Sequence, residues 1–112
     1  MESIIIKIKT NPTALDFKEV IAAIGENYHF TATKFINGEI INEAGQNSGS
    51  CKVFSFAKLQ NLSKEETLAC FGEYYRKEVL ENPNGTDHQN IRNFMKFGWQ
   101  RIIFDGEALH KK

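Results

Sequence analysis

The segment CKVFSFAKLQ, Cys51–Gln60, decides the fold because its apolar side chains do not keep to one face. The apolar positions are Val53, Phe54, Phe56, Ala57 and Leu59. A helix that is apolar on more than one side is buried among other elements rather than lying on the surface. We therefore predict a central helix over residues 50–60, with other elements packed around it.

Three capping-box patterns predict where other helices begin. The pairs are Asp16 and Glu19, Ser63 and Glu66, and Thr86 and Gln89. In such a pair each side chain bonds the backbone N–H of the other residue, which satisfies donors that have no partner inside the helix. The patterns, together with apolar side chains at helical spacing, predict helices over 16–27, 63–81 and 87–97.

The stretch TKFINGEIIN, Thr33–Asn42, predicts a β-hairpin with a type I′ turn at Asn37-Gly38. Two other segments stay open. Near the N-terminus, the isoleucines at 4, 6 and 8 alternate as in a strand, while those at 4 and 8 also fit one helical face. Residues Arg101–Leu109 fit either an extended or a short helical piece.

The length of 112 residues fits a single domain over 1–112. We predict a mainly α fold of the α+β class: a compact helical domain with one short β-hairpin. The longest apolar run, Ile4–Ile6, is far shorter than the ~20 residues that a membrane helix needs. The N-terminus lacks the pattern of a cleaved secretory signal, so we expect a cytoplasmic protein with no membrane contact. Type III export signals do not follow that pattern, and export by this route stays open.

The charge balance and the metal-binding residue types exclude several classes. Lys plus Arg and Asp plus Glu number 14 each, so the basic excess of a nucleic-acid-binding protein is missing, and we expect no nucleic-acid partner. The two cysteines and the three scattered histidines show no ligand spacing. We expect reduced thiols, no metal and no cofactor.

The first candidate site is the polar loop 42–50, which is rich in glycine and leads into Cys51 and Lys52. Such a loop before a helix exposes backbone N–H groups, and the helix dipole adds partial positive charge there. Lys52 would strengthen an anion site. The alternative is structural: Asn47 and the glycines serve the turn, and Ser50 caps the helix.

The second candidate site is the polar run 87–93, at the start of a predicted helix. His88 and Arg92 share one helical face and could hold an anion that Asn90 orients. Alternatively, this run is an exposed helix start whose Asp87 complements the dipole. Cys51 with His88 as its base would make a nucleophilic pair, although a small buried cysteine is the simpler interpretation.

Three stretches resemble the HopJ type III effector family. They are NEAGQNSGSCKVFSFAKL (Asn42–Leu59), TLACFGEYYRKEVL (Thr67–Leu80) and GTDHQNIRNFMKFGW (Gly85–Trp99). They occur in order and without gaps, and weaker similarity extends over nearly the whole chain. The resemblance implies a family and possible delivery through type III secretion, but no catalytic residues. Its matched polar positions coincide with both candidate sites.

We therefore expect a binding module with one pocket between the two candidate segments, for a small anionic ligand or the acidic motif of a partner protein. The expected ligand-binding residues are Asn47, Ser50, Lys52, His88, Asn90 and Arg92. Two alternatives stay open. One is an enzyme that depends on Cys51 and His88, and the other is a delivered effector that docks on a host protein.

Overall fold

Helices account for most of the chain, and five short strands form two small sheets. The computed structural model describes residues 1–112. The α-helices are α1 (Glu2–Thr10), α2 (Phe17–Asn27), α3 (Ser48–Leu59), α4 (Lys64–Ala69) and α5 (Gln89–Phe97). A π-helical segment spans Tyr74–Val79, and short 3-10 turns span Pro12–Ala14 and Gly98–Arg101. The strands are β1 (Tyr28–Phe30), β2 (Phe35–Asn37), β3 (Ile40–Asn42), β4 (Ile102–Phe104) and β5 (Leu109–Lys111).

The predicted α+β class is confirmed, but the strands add two long-range pairs to the one predicted hairpin of β2 and β3. All pairs are antiparallel: β3, β2 and β4 make one sheet in that order, and β1 pairs with β5 in another. Strand β4 falls in the segment that the sequence left open. Strands of three residues are too short to give a readable alternation, which is why the sequence predicted the hairpin alone.

The central position of α3 is confirmed. Phe54 is fully buried, and its ring contacts the rings of Phe71 (5.4 Å between centroids), Phe94 (5.0 Å) and Phe35 (6.0 Å). These rings come from the sheet, from α5 and from the segment after α4, so α3 joins all three. Aromatic rings at these separations add favourable edge and stacking contacts to the burial of apolar area.

The first predicted helix is confirmed as α2, and the open N-terminal segment is helix α1. Both sides of the capping box form at Asp16 and Glu19, and again at Ser63 and Glu66. The third pair is different, because Gln89 donates to the backbone of Thr86 and α5 begins after His88 with no side-chain cap. Helix α3 also begins earlier than predicted, at Ser48, and Ser50 does not cap it.

The single helix predicted over 63–81 is wrong, because the chain breaks after α4. Gly72 has φ +58°, and a Cβ there would lie 2.5 Å from the backbone nitrogen of Phe17. Only glycine combines this left-handed conformation with so close an approach. The break also places the Glu73 carboxylate where the Phe17 N–H donates to it (2.8 Å). Tertiary packing against α2 thus overrides the helical pattern.

The hairpin forms, but its turn lies one residue later than predicted. Gly38 and Glu39 connect the strands, and Asn37 is paired with Ile40 inside the ladder. Gly38 has a positive φ (63°) and Glu39 does not, which is the pattern of a type II′ turn. A shift of one residue exchanges the two faces of a strand, and in this register the Asn37 side chain is fully buried.

No helix of the structure combines the length and the apolar character that crossing a membrane would require.

Replacing Phe56 or Phe71 by alanine should each lower the free energy of unfolding by about 3–5 kcal/mol, because both rings are buried and leave a cavity. Denaturant unfolding measures this loss. Leu59→Ala is the matched control, since Leu59 is 54% exposed and should cost less than about 1 kcal/mol. Equal losses for buried and exposed positions would contradict this placement of the core.

Candidate functional site

Two helices begin at the same place in the fold, and a cluster of buried asparagines holds them there. Asn42 ends β3 and Asn90 lies in the first turn of α5. The Asn42 amide donates to Asn90 Oδ1 (3.1 Å), and the Asn90 amide donates to Asn42 Oδ1 (2.9 Å). Both side chains are buried. This reciprocal pair fixes the end of the hairpin against the start of α5.

Two further asparagines extend this cluster. Asn37 donates to Asn90 Oδ1 (3.0 Å) and to the Asn90 carbonyl (2.8 Å), and Asn47 donates to Asn42 Oδ1 (2.7 Å). Asn47 is the residue before α3, so the start of α3 is tied to the same cluster. Hydrogen bonds of this kind contribute more in a buried site than at the surface, because a buried group without a partner is costly.

A cleft of about 470 Å³ lies between the two helix starts. Its lining residues are Phe17, Ile40, Asn47, Gly49, Ser50, Phe71, Tyr74, His88, Gln89, Asn90 and Ile91. Four of the six residues expected from the sequence therefore line one cavity. The sequence did not indicate the aromatic wall of Phe17, Phe71 and Tyr74, because these rings fit the pattern of ordinary core residues.

Both helices present backbone N–H groups without partners at this cleft. In α3 the first helical bond joins the Cys51 N–H to the Asn47 carbonyl, and in α5 it joins the Arg92 N–H to the His88 carbonyl. The three amides before each bond have no hydrogen-bond partner, and neither helix has a side-chain cap. Asn47 and His88 both have left-handed backbones (φ 51° and 49°). Unpaired amides and the positive ends of two helix dipoles therefore meet at one cavity.

His88 connects the cleft to a cluster of charged residues. Its Nε2 lies 2.8 Å from Glu78 Oε1 and 4.0 Å from Asp87 Oδ2, and its ring stacks on Tyr74 (5.3 Å, 26°). The side-chain oxygen and nitrogen atoms of Glu78, Asp87 and His88 that could coordinate a metal ion lie within 4.8 Å of one another. The scattered histidines of the sequence did not indicate this cluster. Arg92 already pairs with Asp87 (2.8 Å), so the grouping is built as an ion-pair cluster.

The two cations expected at the site do not line the cleft. Arg92 donates to the carbonyls of Asp87 (2.6 Å) and Asn82 (2.8 Å), so it holds the turn before α5, with its side chain only 13% exposed. Its hydrogen bond to the carboxylate also lowers the pKa of Asp87. The Lys52 ammonium lies 4.9 Å from the centre of the Phe30 ring. Sequence spacing placed these residues on suitable elements but could not give the direction of their side chains.

Neither thiol lines the cleft. Cys51 is 1% exposed and its Sγ–H donates to the Thr33 carbonyl (3.6 Å). Burial raises the pKa of the Cys51 thiol, although the Thr33 backbone, the Ser55 hydroxyl and Lys52 oppose that rise. Burial raises the pKa of Cys70 to about 12. A nucleophilic cysteine needs an accessible thiolate, so these surroundings favour structural roles.

The fold and the cleft define a small α+β domain in which two uncapped helix starts border one cavity. The model of the HopJ type III effector protein family matches residues 1–109, so the chain belongs to this family, as its resemblance predicted. A crystal structure described as that of protein VPA0580, of unknown function, is similar over 100% of this chain and 93% of that chain. The TM-score is 0.99 and the identity 46%. No curated protein matches the chain significantly.

Asn90→Ala should lower the free energy of unfolding by about 1–3 kcal/mol, since it removes the three hydrogen bonds that join the Asn90 side chain to Asn37 and Asn42. Asn37 would keep its bond to the Asn90 carbonyl, and the Asn42 amide would keep only a long bond to the Phe35 carbonyl (3.4 Å). Chemical denaturation measures the loss. Asn84→Ala, at an exposed position in the loop before α5, is the control and should change stability by less than about 0.5 kcal/mol. If both variants were equally stable, the asparagine cluster would not be what holds the helix start.

Cys51 and Cys70 should react slowly with a thiol reagent in the folded protein and rapidly once it is unfolded, because both are buried with raised pKa values. Absorbance of the released chromophore follows both rates. Rapid labelling of native Cys51 would contradict the structural role and support the enzymatic alternative.

Proposed function

We propose that the protein is a binding module whose cleft takes a small anionic ligand with a planar apolar body. The observation that carries this proposal is the convergence of two uncapped helix starts on one cavity. Helix N-termini are ready-made anion sites because their free N–H groups and their dipole both favour negative charge. The cavity volume lies within the range of about 300–1,000 Å³ that is typical of small-molecule sites.

The distribution of charge favours a ligand with one negative charge. Because Lys52 and Arg92 are engaged elsewhere, the cleft offers backbone amides and His88, and His88 already faces Glu78. A densely charged phosphate cluster would lack full cations to balance it. A carboxylate or a single phosphate ester fits the donors that are present.

The aromatic wall favours a planar body attached to the anion. Phe17 and Tyr74 lie 5.0 Å apart between ring centroids with a tilt of 56°, and Phe71 stacks behind Phe17 at 6.3 Å. Rings in this arrangement offer edges and faces to a further ring. The ligand would then direct its anionic group toward the helix starts and its ring toward Phe17 and Tyr74.

Benzoate and its neutral isostere benzamide test this proposal as probes in an NMR titration. Benzoate should shift the amide signals of residues 48–50 and 89–91, and benzamide should shift them much less, because only the anion gains from the unpaired N–H groups. Equal shifts from both probes, or benzoate shifts confined to other surfaces, would contradict an anion site in this cleft.

Ser50→Asp provides the matching variant. A carboxylate in the first turn of α3 complements the helix dipole, so stability should be unchanged or slightly higher while benzoate binding falls by about tenfold. Ser3→Asp makes the same change in the first turn of α1, away from the cleft, and should leave binding unchanged. Weaker binding in both variants would indicate a general charge effect.

The family description also supports the proposal that the protein is a delivered effector. A translocation assay with a reporter fused to the C-terminus tests this separately from ligand binding. Signal that depends on a functional type III apparatus is expected, and signal that persists without the apparatus would contradict delivery by that route.

A further inference from the structure

A second groove, on another side of the molecule, lies between the C-terminal half of α3 and strand β5. Its volume is about 520 Å³. It is lined by Ser55, Lys58, Leu59, Phe104, Gly106, Glu107, Ala108, Leu109, His110 and Lys111. It shares no lining residue with the cleft at the helix starts, so the two are separate surfaces.

One wall of the groove is a strand with a free edge. The Thr31 N–H donates to the Ala108 carbonyl (2.8 Å), and the Lys112 N–H donates to the Asn27 carbonyl (3.1 Å). In an antiparallel ladder, hydrogen-bonded pairs alternate with non-bonded pairs. The bonded position between these two is therefore His29 with His110, which are partners in the register of β1 and β5.

It follows that Leu109 and Lys111 turn their backbone groups away from β1. No strand other than β1 pairs with β5. No side chain of the protein forms a hydrogen bond with the backbone N–H or carbonyl of Leu109 or Lys111. Both residues line the groove. The edge thus has two N–H groups and two carbonyls without strand partners, at the spacing that an added strand would bond. Lys111 is exposed, whereas Leu109 is only 5% exposed and its backbone can be reached only from the groove.

The opposite wall of the groove presents an exposed apolar side chain. Leu59 is 54% exposed, although it ends the helix that forms the core. Covering this side chain with a docked segment would remove apolar area from water, which is favourable.

The charges around the groove indicate which kind of strand would fit. Lys58 lies 6.0 Å from the centre of the Phe104 ring, and Lys111 lies on the strand itself. The groove is lined by two lysines and one carboxylate, that of Glu107, which lies 3.3 Å from His110, so positive charge is in excess. Pairing of β5 with β5 of a second copy would bring like charges together, which is how lysine protects strand edges. An acidic segment would meet the opposite charge.

We propose that this groove is a docking surface for an extended acidic segment of another protein, which binds by adding a strand to the free edge of β5. The backbone of the segment bonds to Leu109 and Lys111. Alternate side chains of a strand point to opposite faces, so one set of side chains contacts Leu59 and Phe104 while its carboxylates lie near Lys58 and Lys111.

The probes are capped pentapeptides in which glutamate or aspartate alternates with valine or isoleucine, titrated against the full-length protein by NMR. The expected result is a set of shifts at residues 109–111 and along α3 from Ser55 to Leu59. The same peptides with lysine in place of the acids should not bind. Two further peptides are N-methylated, one at its odd-numbered and one at its even-numbered residues. Only one of the two should lose binding, because only one set of N–H groups faces the edge of β5.

Lys111→Pro and Lys111→Ala form the matched pair of variants. Both remove the charge, but only proline also removes the outward N–H, and that N–H takes no part in the pairing with β1. Binding to the proline variant should be weaker than to the alanine variant by about fivefold, the worth of one hydrogen bond. Unchanged amide signals of β1 serve as the check on folding.

Three results would overturn the proposal. The first is that no peptide of the set shifts the groove residues at millimolar concentration. The second is equal binding of the acidic peptides and both of their N-methylated forms, which would mean an attraction of charges without strand addition. The third is concentration-dependent dimerisation of the free protein with shifts in β5, which would assign the edge to a second copy.

Discussion

The buried pair of amides at Asn42 and Asn90 is the interaction on which the arrangement around the cleft depends. Each side chain donates to the other, and Asn37 and Asn47 add their own amides to the same two oxygens. Every side-chain amide of the four asparagines has an acceptor, and Asn37 Oδ1 is the one buried oxygen of the cluster without a partner. The loss of one member of such a network removes several hydrogen bonds at once. The hairpin, the loop before α3 and the start of α5 consequently keep one relative position.

That position determines the polarity of the cleft. Because the asparagine side chains are occupied with one another, they do not cap the helices that they hold in place. The first-turn amides of α3 and α5 stay free and border the same cavity. On its other side, the break at Gly72 lets the segment after α4 approach the start of α2, which brings Phe71 and Tyr74 beside Phe17.

Helix α3 contributes to both proposed surfaces because its first turn lines the cleft and its last turns line the second groove. Its first turn borders the cleft at Ser50, its middle forms the core through Phe54, and its last turns border the second groove at Lys58. The formal net charge of the chain is zero. The character of each surface therefore comes from local arrangement, with helix starts at one and lysines beside an open strand edge at the other.

The sequence by itself determined the α+β class, the central α3, the capping boxes at Asp16 and Ser63, and the family, because each depends on spacing along the chain. It also selected Ser50, His88 and Asn90, which line one cavity. Only the tertiary structure decided the turn register at Gly38, the break at Gly72 and the side-chain directions of Lys52 and Arg92. Those features depend on contacts between residues far apart in the chain: burial of Asn37 against α5, the approach of Phe17 to Gly72, and the carbonyls that Arg92 reaches.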